Sequence, residues 1–266
     1  MKSTSIPFTA VLLAGCLFIL SSCRKEYLYF EHHPQDLAGL CQIKQLINSF
    51  SLDPEDPRWD TIRFTYNAWG DPVSGLRKQP ATGAPNFLFR YDKYHRLTDF
   101  IGAYSETGGE FWTRYSYANS RSQYPYADTE YIFPLTITGP PPTVYLERRV
   151  AFFEYDAKGR ITKITTKSSD PHIPDGVDVF TYNPDGSEPG ATYDDKVNLS
   201  LTNKIWMFLN RSYSPHNLFT ATAYNAFGLP TWLDLTSQPE TVYYFIGYQA
   251  DLAQFVYDCP CQAPHK

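Results

Sequence analysis

The sequence predicts an all-β protein, an antiparallel β-meander of successive hairpins with at most one short helix. Three observations predict it. Aromatic residues alternate along short runs, as where Ala151, Phe153 and Tyr155 share one face and Phe152 and Glu154 the other, which is the period of a strand. Such runs end in turns built from Asp or Asn and Gly. The composition, 21 Tyr, 18 Phe and 21 Pro against 2 Met in 266 residues, favours strands and turns over long helices.

The first element is not a strand. Lys2 precedes an apolar run over residues 6–20, followed by Ser21, Ser22, Cys23 and the polar Arg24-Lys25-Glu26. The run falls short of the roughly 20 residues that cross a hydrocarbon core of about 30 Å, and small residues stand before the cysteine. Residues 1–22 therefore read as a lipoprotein signal peptide, with lipid expected on Cys23. Leu13-Ala14-Gly15-Cys16 is an alternative lipobox, but cleavage at Cys16 would leave the apolar residues 17–20 at the new terminus. An uncleaved anchor and an ordinary signal peptide are the competing readings. Anchoring through N-terminal lipid chains, at about 0.8 kcal/mol per buried methylene, puts the protein on a membrane of the cell envelope, with the outer membrane the expected one.

Residues 23–38 read as the lipidated cysteine and a polar tether, residues 39–258 as one β domain and residues 259–266 as a Cys-Pro-Cys tail. Residues 40–48 open the domain as a strand, although Leu37, Leu40, Cys41 and Leu46 would also line a helix. Cys41, Cys259 and Cys261 would sit in an oxidising compartment. A disulfide between Cys41 and the tail would join the two ends of the fold. Free thiols and a metal site are the alternatives, and Cys-Pro-Cys lacks the two-residue spacer of zinc and redox motifs.

One unit then recurs: an alternating strand ending in Tyr, then Asp or Asn, then a turn often closed by Gly, then a second strand. Its members are Tyr66, Asn67 and Gly70; Tyr91, Asp92 and Arg96; Tyr155, Asp156, Gly159 and Arg160; Tyr182, Asn183 and Gly186; and Tyr224, Asn225 and Gly228, with a weaker instance at Tyr117. Successive tyrosines lie 25, 26, 38, 27 and 42 residues apart, so three similar gaps define a period and two long ones mark insertions. An Asp or Asn side chain can bond backbone amides two residues ahead, and Gly takes the positive φ that closes the turn.

Tyr155 to Ile161 resembles the YD repeat of RHS-type proteins, whose core is Tyr-Asp, two variable residues, Gly-Arg and an aliphatic. Tyr91 to Leu97 matches except for His95 in the glycine position. Together with the lipobox, Tyr66-Asn67-Ala68-Trp69-Gly70 and Asp194-Asp195-Lys196-Val197-Asn198, the chain looks like Bacteroidetes-type YD-repeat lipoproteins over most of residues 39–250. The resemblance implies a ribbon of hairpins and carries no activity.

Between the repeats, residues 51–60 and 138–142 read as loops, residues 198–211 with Ile205, Trp206, Phe208 and Leu209 as the short helix, and residues 241–248 as a strong final strand. Loops 71–86 and 134–145 are the expected places for a ligand.

The formal charge of −5 provides no basic field for phosphate backbones, so nucleic acid is not an expected partner. Four tryptophans, Trp69, Trp112, Trp206 and Trp232, invite stacking on sugars, although aromatics in alternating strands are usually core. Trp69 lies in a turn and Trp112 follows Gly108-Gly109, which makes these two the candidate ligand aromatics. Asp170, Asp175, Asp178, Asp185, Asp194 and Asp195 lack the spacing of a calcium loop and read as solvated turn acids. The histidines stand apart, no nucleophile elbow or phosphate loop occurs, and no catalytic residue, metal ligand or cofactor is assigned. The expected function is a membrane-anchored, non-enzymatic scaffold or binding protein with a glycan or protein ligand. The alternative is a hydrolase acting on envelope polysaccharide.

Overall fold

A computed structural model describes residues 39–49, 59–78, 80–236 and 243–259. Cys16, Cys23, the tether and Cys261 lie outside the described residues. Among the described residues no helix is long and apolar enough to cross a membrane.

The protein is predominantly antiparallel sheet. Ten strands follow one another as a meander: β1 (Gln42–Ser49), β2 (Trp59–Tyr66), β3 (Pro72–Arg77), β4 (Asn86–Tyr91), β5 (Leu97–Ser105), β6 (Gly108–Ser116), β7 (Ala127–Ile132), β8 (Glu147–Tyr155), β9 (Ile161–Ser168) and β10 (Gly176–Val179). The chain then leaves the sheet through a 3₁₀ turn (Leu199–Thr202) and helix α1 (Lys204–Asn210), and continues into β11 (Ala223–Tyr224), β12 (Pro230–Asp234), β13 (Tyr244–Phe245), β14 (Tyr248–Gln249) and β15 (Leu252–Asp258). β15 inserts between β1 and β12, which gives one sheet of 13 strands in the order β10 to β1, then β15, β12 and β11. β13 and β14 form a separate small hairpin.

Two of the sequence expectations are corrected here. The final strand is β15 rather than residues 241–248, because Ile246 and Gly247 take positive φ and fold that stretch into a tight hairpin. The expected 71–86 loop begins instead as strand β3, paired with β2 from Pro72 to Arg77.

The return of β15 explains the cysteines. Gln42 faces Asp258 in the β1–β15 ladder, so the residues just outside that pair, Cys41 and Cys259, are brought together and bonded across a separation of 218 residues. Both are buried.

Helix α1 has seven residues, too few to persist alone, so its stability comes from packing. The Asn203 side chain caps it by accepting the Ile205 amide at 2.8 Å, and Arg211, at φ 52°, ends it in the left-handed conformation. Trp206 projects into the sheet and meets Phe64, Phe89 and Phe245 at ring separations of 5.4, 5.6 and 5.3 Å. The main core therefore lies on the face of β1 to β5 and β15 that α1 and the C-terminal segments cover. A smaller core of Ile101, Ala103, Trp112 and Ile137 lies on the opposite face.

The repeated turns share one hydrogen-bond pattern. In the turns beginning at Asn67, Asp92, Asp156 and Asn225 the amide of that first residue donates to the carbonyl four residues on, and the amide three residues on donates back to it. The side-chain oxygen of each accepts two further amides, as Asp156 does from Lys158 and Arg160 at 2.8 and 3.0 Å. The fourth residue takes positive φ in every case: Gly70, His95, Gly159 and Gly228. A fifth turn at Asn183 keeps the backbone bonds but uses Asp185 as its side-chain acceptor.

Tyrosine and arginine tie each turn to a neighbouring one. The phenols of Tyr66, Tyr91, Tyr117, Tyr155 and Tyr182 donate to the carbonyls of Ile43, Pro72, Leu97, Pro125 and Ile161, at 2.7 to 2.9 Å. Arg96 and Arg160 pair with Asp92 and Asp156 inside their own turns and reach forward to the carbonyls of Asn119 and Asn183. Their guanidinium carbons lie 4.1 and 4.9 Å from the ring centres of Tyr117 and Tyr182. The long gaps in the tyrosine series hold the segment between β7 and β8 and the helical segment.

Candidate functional site

Strand alternation places one row of side chains from each of β6 to β9 on the face that carries α1. Thr113 and Tyr115 of β6 stand beside Glu130 and Asp128 of β7, which in turn stand beside Arg149 and Ala151 of β8. Ala151 and Phe153 then face Thr166 and Ile164 of β9. Because α1 and the β13–β14 hairpin cover this face only in part, a groove of about 760 Å³ remains. Phe87, Phe100, Phe111 and Phe153 line it from the sheet, and Phe208, Leu209, Ile246 and Tyr248 from above.

Asp128 and Glu130 are the polar centre of the groove. Two residues apart on one strand, their Cα atoms are about 6.6 Å apart at ordinary strand rise. Burial pushes the Asp128 carboxyl up to about 7 from 3.8, with the charge of Glu130 adding to the effect and an amide contact from Ala151 opposing it. Burial also raises Glu130, against the lowering influence of Arg149. Among the described residues no side-chain hydrogen bond reaches either carboxyl. The nearest cation is otherwise engaged: Arg149 holds Glu147 through two bonds of 2.8 and 2.9 Å, and Ser168 donates to the same carboxylate at 2.7 Å. Glu110, at the rim, receives the Tyr104 hydroxyl and the Gly83 amide.

A second hollow of about 610 Å³ opens between the turns and α1, lined among others by Tyr94, Arg96, Tyr124, Arg160, Lys204 and Phe208. Its central guanidinium groups are consumed by the turn lattice. Arg96 is bonded to Asp92, Asn119 and Ser122, and Arg160 to Asp156 and Asn183. This hollow is held by structural contacts, whereas the carboxyls of the concave groove keep open hydrogen-bonding capacity.

The candidate aromatics separate. Trp69 is 69% exposed in its turn and lies 4.1 Å from the His95 ring of the next turn. Trp112 is corrected from a candidate ligand aromatic to a core residue: it is 0% exposed, donates from Nε1 to Asp99 at 2.7 Å and lies under the Arg90 guanidinium at 4.7 Å. Gly109 supplies no platform for an exposed ring, because Pro134 and Ile137 of the following loop close over it. Trp69 and the groove carboxyls belong to different regions, and Trp69 does not line the groove.

The repeat residues Tyr66, Asn67, Gly70, Tyr91, Asp92, Arg96, Tyr155, Asp156, Gly159, Arg160, Tyr182, Asn183, Gly186, Asn225 and Gly228 build turns and contribute nothing to the groove. Tyr224 departs from the other tyrosines and donates to the Asp194 carboxylate at 2.8 Å, which makes Asp194 a loop anchor that also holds Asn217. Among the described residues there is no group of three or more His, Cys, Asp or Glu able to hold a metal ion.

Sequence reasoning passed over Asp128, Glu130 and Arg149. Their signal was present: two acids spaced by two within a strand put both carboxyls on one face. What that face meets depends on residues from seven other elements. No protein-family model matches the chain, and the search of curated proteins finds no significant match.

Proposed function

We propose that the chain is a lipid-anchored, non-enzymatic binding protein of the cell envelope, built on YD-repeat-like hairpins and holding its ligand in the concave groove of β6 to β9. The observation that carries the ligand site is the Asp128–Glu130 pair, half-buried among aromatic rings and without a side-chain donor. Apart from the Ala151 amide on Asp128, these acceptors are left for a ligand with hydrogen-bond donors to meet. Export is supported by the Cys41–Cys259 bond, since disulfides persist in oxidising compartments. Anchoring through Cys23, with Cys16 as the alternative, rests on the leader described above, and the outer membrane is the proposed location. Palmitate-analogue labelling of cells expressing the chain tests it: label on wild type and on Cys16→Ser, lost in Cys23→Ser, is the expected pattern. Label retained in Cys23→Ser overturns that assignment. The ligand site is tested by a glycan and small-molecule binding screen on wild type and the Asp128→Asn, Glu130→Gln pair. Ligands that bind both proteins alike would remove the groove from the proposal.

One observation favours a second reading. Paired carboxyls with raised affinity for protons, at strand spacing in a groove, resemble the acid and base of glycoside hydrolysis. Release of reducing ends from envelope polysaccharide by wild type, abolished in Asp128→Asn, would replace the binding reading with that of a hydrolase.

A further inference from the structure

We infer that the concave groove selects an organic cation, an amine or quaternary ammonium group carried on an apolar body. The inference rests on the groove reading above and names its ligand class. It follows from the charge and the walls taken together.

Most charged or titratable groups around the pair are engaged, Tyr155 with the Pro125 carbonyl among them. On β6, Glu110 is held by Tyr104 and Gly83, and Tyr115 is a buried phenol whose burial raises it well above its ordinary value. On β8, Arg149 is neutralised by Glu147. Beyond α1, Arg211 lines the groove as an exposed cation and lies 5.3 Å from the Phe180 ring centre. From the β13–β14 hairpin comes the buried Tyr248, 4.0 Å from the Arg77 guanidinium carbon. The groove lining thus sets three carboxyls, Glu110, Asp128 and Glu130, against the guanidinium groups of Arg149 and Arg211, the first of them already paired with Glu147.

The walls decide what kind of positive charge fits. Phe111, Phe153 and Phe208 are half-buried and line the groove with apolar rings rather than oxygen ligands. A calcium ion takes six to eight oxygens, and two carboxylates among phenylalanines do not supply them. An ammonium group needs neither a full oxygen shell nor a rigid geometry. It gains from carboxylates on one side and from aromatic faces on the other, while its apolar substituents displace water from the rings. An anion would meet two like charges, and a neutral ligand would leave the charge deficit in place.

The test uses the processed protein in nonionic detergent, titrated calorimetrically with benzyltrimethylammonium and with neutral benzyl alcohol. The ammonium is expected to bind about tenfold more tightly at pH 8, the ratio that corresponds to about 1.4 kcal/mol of charge-dependent attraction. Its affinity is expected to fall about tenfold between pH 8 and pH 6, as Asp128 takes up its proton around pH 7. The Asp128→Asn, Glu130→Gln double variant, checked for an intact thermal transition, is expected to lose the preference for ammonium and keep the weak alcohol binding. Equal affinity for the two probes, suppressed by a Phe153→Trp groove-filling variant, overturns the cation inference and leaves the groove reading standing. No binding of either probe overturns both, and an ammonium preference retained in the double variant removes the carboxyl pair from the inference.

Discussion

The phenol of Tyr182 donates a 2.9 Å hydrogen bond to the carbonyl of Ile161, the first residue of the strand that leaves the preceding turn. The same relation links Tyr91 to Pro72 and Tyr117 to Leu97, while Tyr155 reaches Pro125, two residues before the strand β7. A hairpin's register normally weakens where its strands diverge into the turn. Here each divergent end is stitched to its neighbour by a side chain whose position the repeat fixes. Burial raises the tyrosines above their usual range, Tyr117 to about 12, so they remain neutral donors across all ordinary conditions.

Tyr155→Phe keeps the ring stacked on Tyr124 and removes only the bond to the buried Pro125 carbonyl. The expected loss is about 1–3 kcal/mol, with little change in the secondary structure. Urea unfolding followed by near-ultraviolet circular dichroism checks it, and no shift in midpoint would show that the stitch is dispensable.

Gly186→Ala and Gly83→Ala separate strain from collision. Both glycines have positive φ, at 101° and 78°, but a Cβ at Gly186 would stand 2.2 Å from the Tyr213 carbonyl oxygen, whereas at Gly83 it would meet nothing. Gly83→Ala should cost about 1 kcal/mol and Gly186→Ala well above that, because backbone must move. Thermal melts of the two variants, compared directly, read the difference.

Trp112→Ala should destabilise by about 3–5 kcal/mol, as a buried ring is lost and Asp99 loses its donor. Trp69→Ala, which removes an exposed ring, should stay within about 0.5 kcal/mol. Comparable losses in chemical denaturation would contradict the assignment of the first to the core and the second to the surface.

Reducing Cys41–Cys259, or replacing both by Ser, removes a constraint on a loop of 218 residues. Loop-closure entropy for a loop of this length sets an upper value of about 5 kcal/mol, and the expected loss is about 2–5 kcal/mol. The variant should unfold at lower urea, and the effect of added reductant on wild type should vanish in it.

Asp128 makes stability depend on pH in a defined sense. Its folded carboxyl titrates near 7 and its unfolded one near 3.8, so the folded state holds a proton that the unfolded chain releases. Its contribution is greatest below about pH 4 and declines as pH rises to about 7, by an amount of order a few kcal/mol. Asp128→Asn should therefore flatten the pH dependence between those limits and exceed wild type in stability at pH 8. Parallel stability curves for the two proteins would rule this out.

The local features were legible because short-range chemistry controls them. Asn67, Asp92, Asp156 and Asn225 write their turns with their own side chains, and the alternation around Phe153 gives the strand without reference to any partner. The short helix expected over residues 198–211 occupies 204–210, after a 3₁₀ turn over Leu199–Thr202. The segment 241–248 was misread because Val242, Tyr244 and Phe245 have strand preferences, while the backbone turn at Ile246 and Gly247 follows from packing against Asn210, whose side chain accepts the Ile246 amide.

Sequence by itself determined the meander: its turns and its alternating faces, both of which depend on residues a few positions apart. Only the tertiary structure decided which face of each strand is covered. Alternation marks two faces equally, and the choice between them lies with distant segments: the loop after β7 that closes over Trp112, β15 that brings Cys259 to Cys41, and α1 that roofs Asp128 and Glu130 without burying them completely. Burial and charge deficit are properties of that assembly, because they arise from what comes near a side chain rather than from what precedes it in the chain.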